Sequence, residues 1–264
     1  MKMLEPEILQ WFALVIGAVV GSFLNVVIWR LPREESLIRP GLHCPACGAP
    51  IRWRDNLPIL SWLLVRGRCR SCRAGISVRY PLVELGSALL SFFLFQRFGA
   101  SWHYLVYFGF AAGLLAASAI DLVHRIIPDE ISLAGTAAGL LIALIPQAPV
   151  PFRSALLGAL AGFLSLSLVI AGYWLLTRRE GMGMGDPKLL AAIGAFLGWQ
   201  ALPFVVLAAS FTGTIVGLGM ILVQKKGRFY KIPFGPFLSL GAWIWLLFEP
   251  TLKEWIFRGP GGWG

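Results

Sequence analysis

Long apolar runs separated by short polar stretches dominate this chain. Most of the runs approach the roughly 20 residues that a helix needs to cross a bilayer. The pattern therefore predicts an all-α, polytopic membrane protein with about eight transmembrane helices, surrounded by the lipid bilayer. The runs cover approximately residues 8–29, 81–98, 104–123, 130–146, 154–176, 188–200, 201–223 and 232–249.

The sixth run is short for a membrane span. At 1.5 Å per residue it reaches only ~20 Å, against a hydrocarbon core of roughly 30 Å. Two structures fit this length. The run is either a half-helix, or a helix that continues past Trp199 with a kink at Pro203.

The polar segments divide the chain into three predicted parts. Residues 1–29 form a first transmembrane segment, residues 30–80 form the one large polar loop, and residues 81–264 form a polytopic membrane domain. Composition supports a membrane protein, since 57% of the residues are hydrophobic and only 14% are charged, and the mean hydropathy is +0.74. Ordinary soluble domains are about a quarter charged.

The formal net charge of +10 is unevenly distributed along the chain. With eight spans, most of the 23 Lys and Arg residues fall on one side, in the loops 30–80, 124–129, 177–187 and 224–231. An excess of Lys and Arg in short loops marks the cytoplasmic face. This orientation places both termini outside the cytoplasm and explains the charge without a nucleic-acid partner.

The 30–80 loop contains all four cysteines of the protein, in the sequences CPAC and CRSC. Two C-x2-C pairs, separated by 21 residues, are typical of a tetrahedral thiolate site for structural zinc. Gly48 and Gly75 are expected where such turns need a permissive backbone. Structural disulfides are disfavoured on the reducing side of the membrane; a dithiol redox centre is the alternative. The proposed ligands are Cys44, Cys47, Cys69 and Cys72.

Asp121 is the most informative acidic residue of the membrane region. It follows a long apolar run and lies inside a predicted helix, where it has no capping role. A charged side chain at mid-bilayer costs roughly 2.5–3.5 kcal/mol on insertion scales, and less near the interface. Such residues usually face a polar cavity and have a function.

Three other carboxylates have structural alternatives. Asp129 precedes the fourth run and is expected to cap that helix. Asp186 opens the sixth run before Pro187, so it is either an N-cap or half of a catalytic site. Glu84 either orients the site or pairs with an arginine such as Arg79.

Asp121 and Asp186 both fall on the predicted cytoplasmic edge, where their helices can bring them together. Two close carboxylates share a proton, so one can act as base on a water and the other as acid, as in aspartic proteolysis. Gly183 and Gly185 would then permit a strained turn and close approach of a substrate backbone. The run GMGMG also resembles a nucleotide-binding turn, but the membrane helix before it excludes a soluble Rossmann domain. An anion-binding nest at the helix N-terminus stays open.

Together these motifs resemble the type IV prepilin peptidases. The resemblance covers nearly the whole chain and rests on GSFLNVVIWRLP, CPAC…CRSC, RYPLVELGSALL, DLVHRIIPDE and GMGMGDPKLL, in this order. A Gly-x-Gly-Asp motif alone is weak, since presenilin-like intramembrane proteases share it. The ordered combination is specific.

The resemblance implies a bifunctional enzyme of the bacterial inner membrane. Asp121 and Asp186 would cleave the short basic leader of prepilins and pseudopilins at the cytoplasmic face. The enzyme would then methylate the new N-terminus with S-adenosylmethionine, and the four cysteines would bind zinc. A presenilin-like protease and a proton-coupled transporter are the alternative functions. The cysteine loop argues against the first, and the position of the acids away from the midplane argues against the second.

Overall fold

The chain is built of α-helices joined by short connections. The computed structural model describes residues 6–179, 181–224 and 232–258. Within these ranges there is no β-strand, only the single bridges His43–Pro50 and Arg68–Gly75. The helices are α1 (Pro6–Arg30), α2 (Leu60–Leu64), α3 (Arg79–Phe98), α4 (Trp102–His124), α5 (Asp129–Ile142), α6 (Phe152–Thr177), α7 (Gly185–Leu197), α8 (Leu202–Gln224) and α9 (Gly235–Arg258).

A helix occupies each of the eight predicted apolar runs, which confirms the all-α prediction. In the described part of the chain, four helical segments are long and apolar enough to cross a membrane by length and composition: Glu7–Arg33, Trp102–His124, Phe152–Thr177 and Trp199–Leu222. The count of eight spans is therefore still a prediction. Most of the predicted loop 224–231 lies outside the described residues.

The sixth run is a separate short helix. Helix α7 ends at Leu197, and Gly198 follows with φ of +79°, a conformation that favours glycine. A 3-10 turn over Trp199–Ala201 then leads into α8. Of the two predicted structures, the half-helix is the one observed.

The structure divides into two compact units, one up to Ile120 and one from Asp121 onward. In the first unit α1 packs along α3. Gly17 and Gly21, four residues apart on α1, make this approach close. A Cβ atom at Gly17 would lie 2.5 Å from Cβ of Ser91, and one at Gly21 would lie 2.6 Å from Cα of Glu84. Small residues at this spacing allow helix backbones to come together in a membrane.

Helix α7 is the core of the second unit. It packs against α5, α6 and α9, and its residues from Asp186 to Leu197 are buried, apart from the partly exposed Lys188. Glycines again set the spacing: Gly194 meets Gly158 of α6 backbone to backbone, and a Cβ at Gly162 would lie 2.5 Å from the Leu190 carbonyl oxygen. This packing fixes the N-terminus of α7, where Asp186 lies.

Candidate active site and metal centre

Two buried carboxylates lie at helix ends within the second unit. Asp121 is in the last turn of α4 and is 5% exposed, and Asp186 is in the first turn of α7 and is 8% exposed. The carboxyl groups are near enough to interact electrostatically. The structure therefore brings together the two acids that the sequence singled out.

Ile127 and Gly235 line the space around this pair. The amide N–H of Gly235, the first residue of α9, donates a hydrogen bond to Asp121 Oδ2 at 3.0 Å. Ile127 touches both glycines beside the acids. A Cβ at Gly185 would lie 3.0 Å from Ile127 Cβ, and a Cβ at Gly235 would lie 3.0 Å from Ile127 Cδ1. The ends of α4, α7 and α9 therefore converge on one point.

Gly235 is a site residue that the sequence reasoning missed. Its N–H belongs to a helix N-terminus, where unpaired amides and the helix dipole favour a negative charge. A Cβ there would lie only 2.8 Å from Asp121 Oδ2, so a side chain would compete with the carboxylate for space. The available signal was the Gly-Pro pair that opens the last apolar run after a basic loop.

The capping prediction for Asp129 is wrong, and the capping alternative for Asp186 is not the one observed. Helix α5 begins at Asp129 with Pro128 as its N-cap, and the Asp129 carboxylate instead accepts two hydrogen bonds from Lys188 Nζ, at 2.7 and 2.9 Å. Helix α7 begins at Gly185 with Met184 as its N-cap, so Asp186 lies inside the first turn. The fixed φ of proline suits several positions of the first helical turn. Pro187 is the third residue of α7 rather than the first, so the residue before it is not the N-cap.

The glycines before Asp186 do not form the strained turn that was expected. Neither Gly183 nor Gly185 has a φ in the left-handed region. Gly183 has open space around it, with its nearest neighbour 4.0 Å from a built Cβ, whereas Gly185 is confined by Ile127. Gly185 is therefore explained by packing, and Gly183 leaves an open surface beside the acids.

The four cysteines form a cluster in the first unit. Their Sγ atoms all lie within 4.8 Å of one another, and the Sγ atoms of Cys44 and Cys72 are 3.9 Å apart. Zinc–sulfur bonds of ~2.3 Å in a tetrahedron place the sulfurs about 3.8 Å apart. The donor set and its spacing therefore fit a tetrahedral metal ion.

Each cysteine pair lies in a turn of the same design. In the first turn the Gly48 N–H donates to the Cys44 carbonyl at 2.8 Å, and in the second the Arg73 N–H donates to the Cys69 carbonyl at 3.0 Å. Both residues are left-handed, with φ of +69° and +61°. The prediction of a permissive backbone is confirmed at Gly48. It is wrong at Gly75, because the residue with the left-handed conformation in the second turn is Arg73.

The Cys69 thiol is prepared for ligation by its own turn. Hydrogen bonds from the backbone N–H groups of Cys72 and Ser71 lower the pKa of Cys69 to about 6. Hydrogen bonds to the charged form favour it, and thiolate is the form that binds metals. The turn therefore favours the ligating state of this sulfur.

Glu84 ties the polar loop to the helices of the first unit. Its Oε2 accepts a 2.6 Å hydrogen bond from the Ile59 N–H, and the side chains of Ser22 and Asn25 also hydrogen-bond to its carboxyl group. The Arg79 guanidinium lies over the Tyr80 ring instead, 5.9 Å from its centroid. Glu84 thus contacts the loop backbone rather than the suggested arginine.

Comparisons with known proteins give a consistent result. Residues 15–98 match the bacterial Peptidase A24 N-terminal domain, and residues 108–218 match the type IV leader peptidase family. A prepilin leader peptidase/N-methyltransferase from Aeromonas salmonicida strain A449 is 41% identical, covering 93% of each chain. Relatives with the same description are 42% identical in Pseudomonas putida, covering 92% of each chain, and in Burkholderia pseudomallei strain 1026b, covering 90% of this chain and 84% of the relative. No solved structure matches significantly.

Proposed function

Because this chain belongs to the type IV leader peptidase family, we propose that it removes the leader from type IV prepilins and pseudopilins and methylates the new N-terminus. The observation that carries the peptidase half is the buried Asp121–Asp186 pair. Isolated carboxylates are expensive to bury in a membrane protein, and a pair that shares one proton is the arrangement used for aspartic proteolysis.

The surroundings of the two acids suggest how the roles divide. Asp121 accepts the Gly235 N–H at the N-terminus of α9, so the shared negative charge is best held there. Asp121 is then the base that takes a proton from a water molecule as the water oxygen attacks the scissile carbonyl carbon. Asp186 donates its proton to the carbonyl oxygen, and the pair later protonates the leaving amine as the C–N bond breaks.

The proposed orientation puts this chemistry on the cytoplasmic side of the bacterial inner membrane. The basic loops between the apolar helices support it. With eight spans, the ends of α4 and α7 that bear the acids fall on the same side as the cysteine loop. The basic leader of the substrate would be cleaved there, before the pilin is exported.

Zinc is the metal proposed for Cys44, Cys47, Cys69 and Cys72. Four thiolate ligands leave no open position, so the ion would hold the loop together rather than take part in catalysis. The loop contains only short helices and single bridges, so metal binding would supply much of its folding energy. S-adenosylmethionine would supply the methyl group to the new amino terminus.

The decisive experiment compares the wild-type protein with Asp121→Asn and Asp186→Asn variants. Each purified protein in lipid nanodiscs is incubated with a prepilin, and the products are weighed by mass spectrometry. Both variants should remain folded and lose cleavage, because each carboxyl group is needed for proton transfer. An Asp129→Asn variant serves for comparison, since that carboxylate is held by Lys188 at the surface. Loss of cleavage only in the Asp129 variant would refute the assignment.

A separate experiment tests the metal centre. Metal content is measured on the wild-type protein and on a Cys69→Ser, Cys72→Ser double variant. We expect about one zinc per wild-type chain and none in the variant, with greater protease sensitivity in the 30–80 loop. Unchanged metal content in the variant would exclude the four-cysteine site.

A further inference from the structure

Residues 56–64 lie in the middle of the polar loop, yet they contact the membrane helices well inside the helix ends. We infer that residues 56–64, here called the re-entrant segment, dip into the hydrocarbon layer of the bilayer, where their exposed leucines contact lipid chains. This surface is independent of the proposed peptidase and methyltransferase activities. It lies in a part of the chain that the sequence predicts to be a polar loop outside the membrane spans.

Helix α1 gives the depth that the re-entrant segment reaches. The Ser22 hydroxyl donates a hydrogen bond to Asn56 Oδ1 at 3.4 Å. Ser22 lies near the middle of Glu7–Arg33, which is long and apolar enough to cross a membrane. At 1.5 Å per residue, Ser22 is about 12 Å from Arg30 at the end of α1. The hydrocarbon core is roughly 30 Å thick, so Asn56 lies within this layer rather than above it.

Helix α3 gives the same depth from a second contact. The Ile59 N–H donates a hydrogen bond to Glu84 Oε2 at 2.6 Å. Glu84 lies at the level of Gly21, because a Cβ at Gly21 would be only 2.6 Å from the Glu84 Cα atom. Gly21 is the residue before Ser22 on α1, so the two contacts mark one level. A loop that stayed outside the bilayer would reach neither Ser22 nor Glu84.

The backbone at the tip of the re-entrant segment is hydrogen-bonded without water. The Leu57 N–H donates to Ser61 Oγ at 2.8 Å, and Pro58 has no N–H to satisfy. The Ile59 N–H has the carboxylate just described, and the Leu60 N–H donates to the Pro58 carbonyl at 2.6 Å. Each backbone N–H of this tip therefore has a partner within the protein, which is what irregular backbone needs at membrane depth.

The tip reverses the direction of the chain through a strained turn. Ile59 has φ of +64° and ψ of −53°, close to the rare γ-turn that an i to i+2 hydrogen bond closes. A β-branched residue with positive φ is an outlier that persists only where its surroundings hold it. Here the Glu84 carboxylate holds the Ile59 N–H, and the bond from Leu60 to Pro58 closes the turn. The segment can therefore enter and leave the bilayer on the same side.

The chain returns to the ends of the helices soon after α2. The Ile76 N–H donates to the Gly67 carbonyl at 2.7 Å, and Ile76 precedes the start of α3 at Arg79. Gly67 is therefore at the edge of the membrane region again. Arg66 and Arg68 are exposed beside it, where their long side chains can extend to the lipid headgroups.

Four leucines of the re-entrant segment form its exposed face. They are between 44% and 73% exposed: Leu57, Leu60, Leu63 and Leu64. The last three lie on one face of α2, because residues three and four apart share a side of a helix. Phe23 of α1, which is also exposed, lines the same cavity as Asn56 and Pro58. The leucines thus continue the apolar outer side of α1, and at this depth the surrounding medium is hydrocarbon.

The test measures depth at single positions of the full-length protein in nanodiscs. A fluorescent amino acid with emission distinct from tryptophan replaces Leu60, Leu57, Phe23 or Val78, one position at a time. Quenching by brominated lipid chains reports contact with hydrocarbon, and quenching by iodide reports contact with water. Phe23 is the reference for the lipid-facing side of α1. Val78 is the matched control, because it is also an exposed apolar residue of the polar loop but precedes the start of α3.

We expect brominated lipid to quench the labels at Leu60 and Leu57 as strongly as the label at Phe23, and several-fold more strongly than the label at Val78. Iodide should give the opposite order. Equal quenching at Leu60, Leu57 and Val78 in both assays would overturn the inference, because the segment would then lie no deeper than the loop around it. Iodide quenching at Leu60 that is lost only when prepilin is added would also overturn it, since the leucines would then bind substrate rather than lipid.

Discussion

Replacing Gly235 by alanine tests whether the position of Asp121 controls catalysis. The new Cβ would lie 2.8 Å from Asp121 Oδ2, whereas ordinary van der Waals contact begins at 3.4 Å, so the carboxylate must move by about 0.6 Å. A misplacement of ~1 Å in an active site can cost roughly 100-fold in rate. We therefore expect kcat for prepilin cleavage to fall roughly 10- to 100-fold, with little change in KM.

The assay is steady-state cleavage of a prepilin in nanodiscs, with the thermal unfolding midpoint measured on the same samples. Gly219→Ala is the matched control, because it also lies in an apolar helix and has open space around its Cβ position. Both variants should keep the unfolding midpoint within a few degrees of wild type. The new methyl group at position 235 displaces a side-chain oxygen of Asp121 rather than backbone, and the one at position 219 displaces nothing. A Gly235→Ala protein whose kcat stays within twofold of wild type would show that the Asp121 geometry does not limit the reaction.

Three further substitutions test other parts of the structure. Gly48→Ala should weaken zinc binding several-fold in a chelator competition, because a side chain in the left-handed conformation costs roughly 1–2 kcal/mol. Gly75→Ala is the control, since Gly75 does not have a left-handed φ, and it should leave zinc affinity unchanged. Equal losses of affinity in the two variants would refute the argument. Gly194→Ala should lower the thermal unfolding midpoint, since its Cβ would overlap the Gly158 carbonyl and overpacking costs typically 1–3 kcal/mol; an unchanged midpoint would contradict the packing. Lys188→Met should change the unfolding free energy by less than ~1 kcal/mol, as for exposed ion pairs, and a larger loss measured by denaturant titration would show that the pair is structural.

The sequence was a good guide to the helices because their signal is local. The backbone N–H and C=O groups of an apolar run have no water to bond in a bilayer, and a helix pairs them within the run. Each predicted run accordingly contains a helix. The ends of the helices were harder to place. Asp129 and Asp186 have the right chemistry for helix caps, but neither carboxylate is used as one. That of Asp129 binds Lys188, and that of Asp186 lies beside Asp121.

The candidate site was predictable only as far as unusual residues revealed it. Asp121 stands out because a carboxylate inside an apolar helix has few structural explanations. Gly235 and Ile127 contribute a backbone N–H and a packing contact, and neither has a sequence signature until the helices are assembled. The second cysteine turn shows the same limit, since Arg73 adopts the conformation for which a glycine was expected.

The contact of Ile127 with both Gly185 and Gly235 makes these three positions share a single volume. A methyl group added at either glycine would come within 3.0 Å of the isoleucine side chain. A smaller residue at position 127, as in Ile127→Val or Ile127→Ala, would relieve this contact. Substitutions here are therefore not independent, and their effects on fitness should be epistatic. Among related chains, we expect these positions to change together, so that a larger residue at one is matched by a smaller residue at another and the space for the two carboxyl groups is kept.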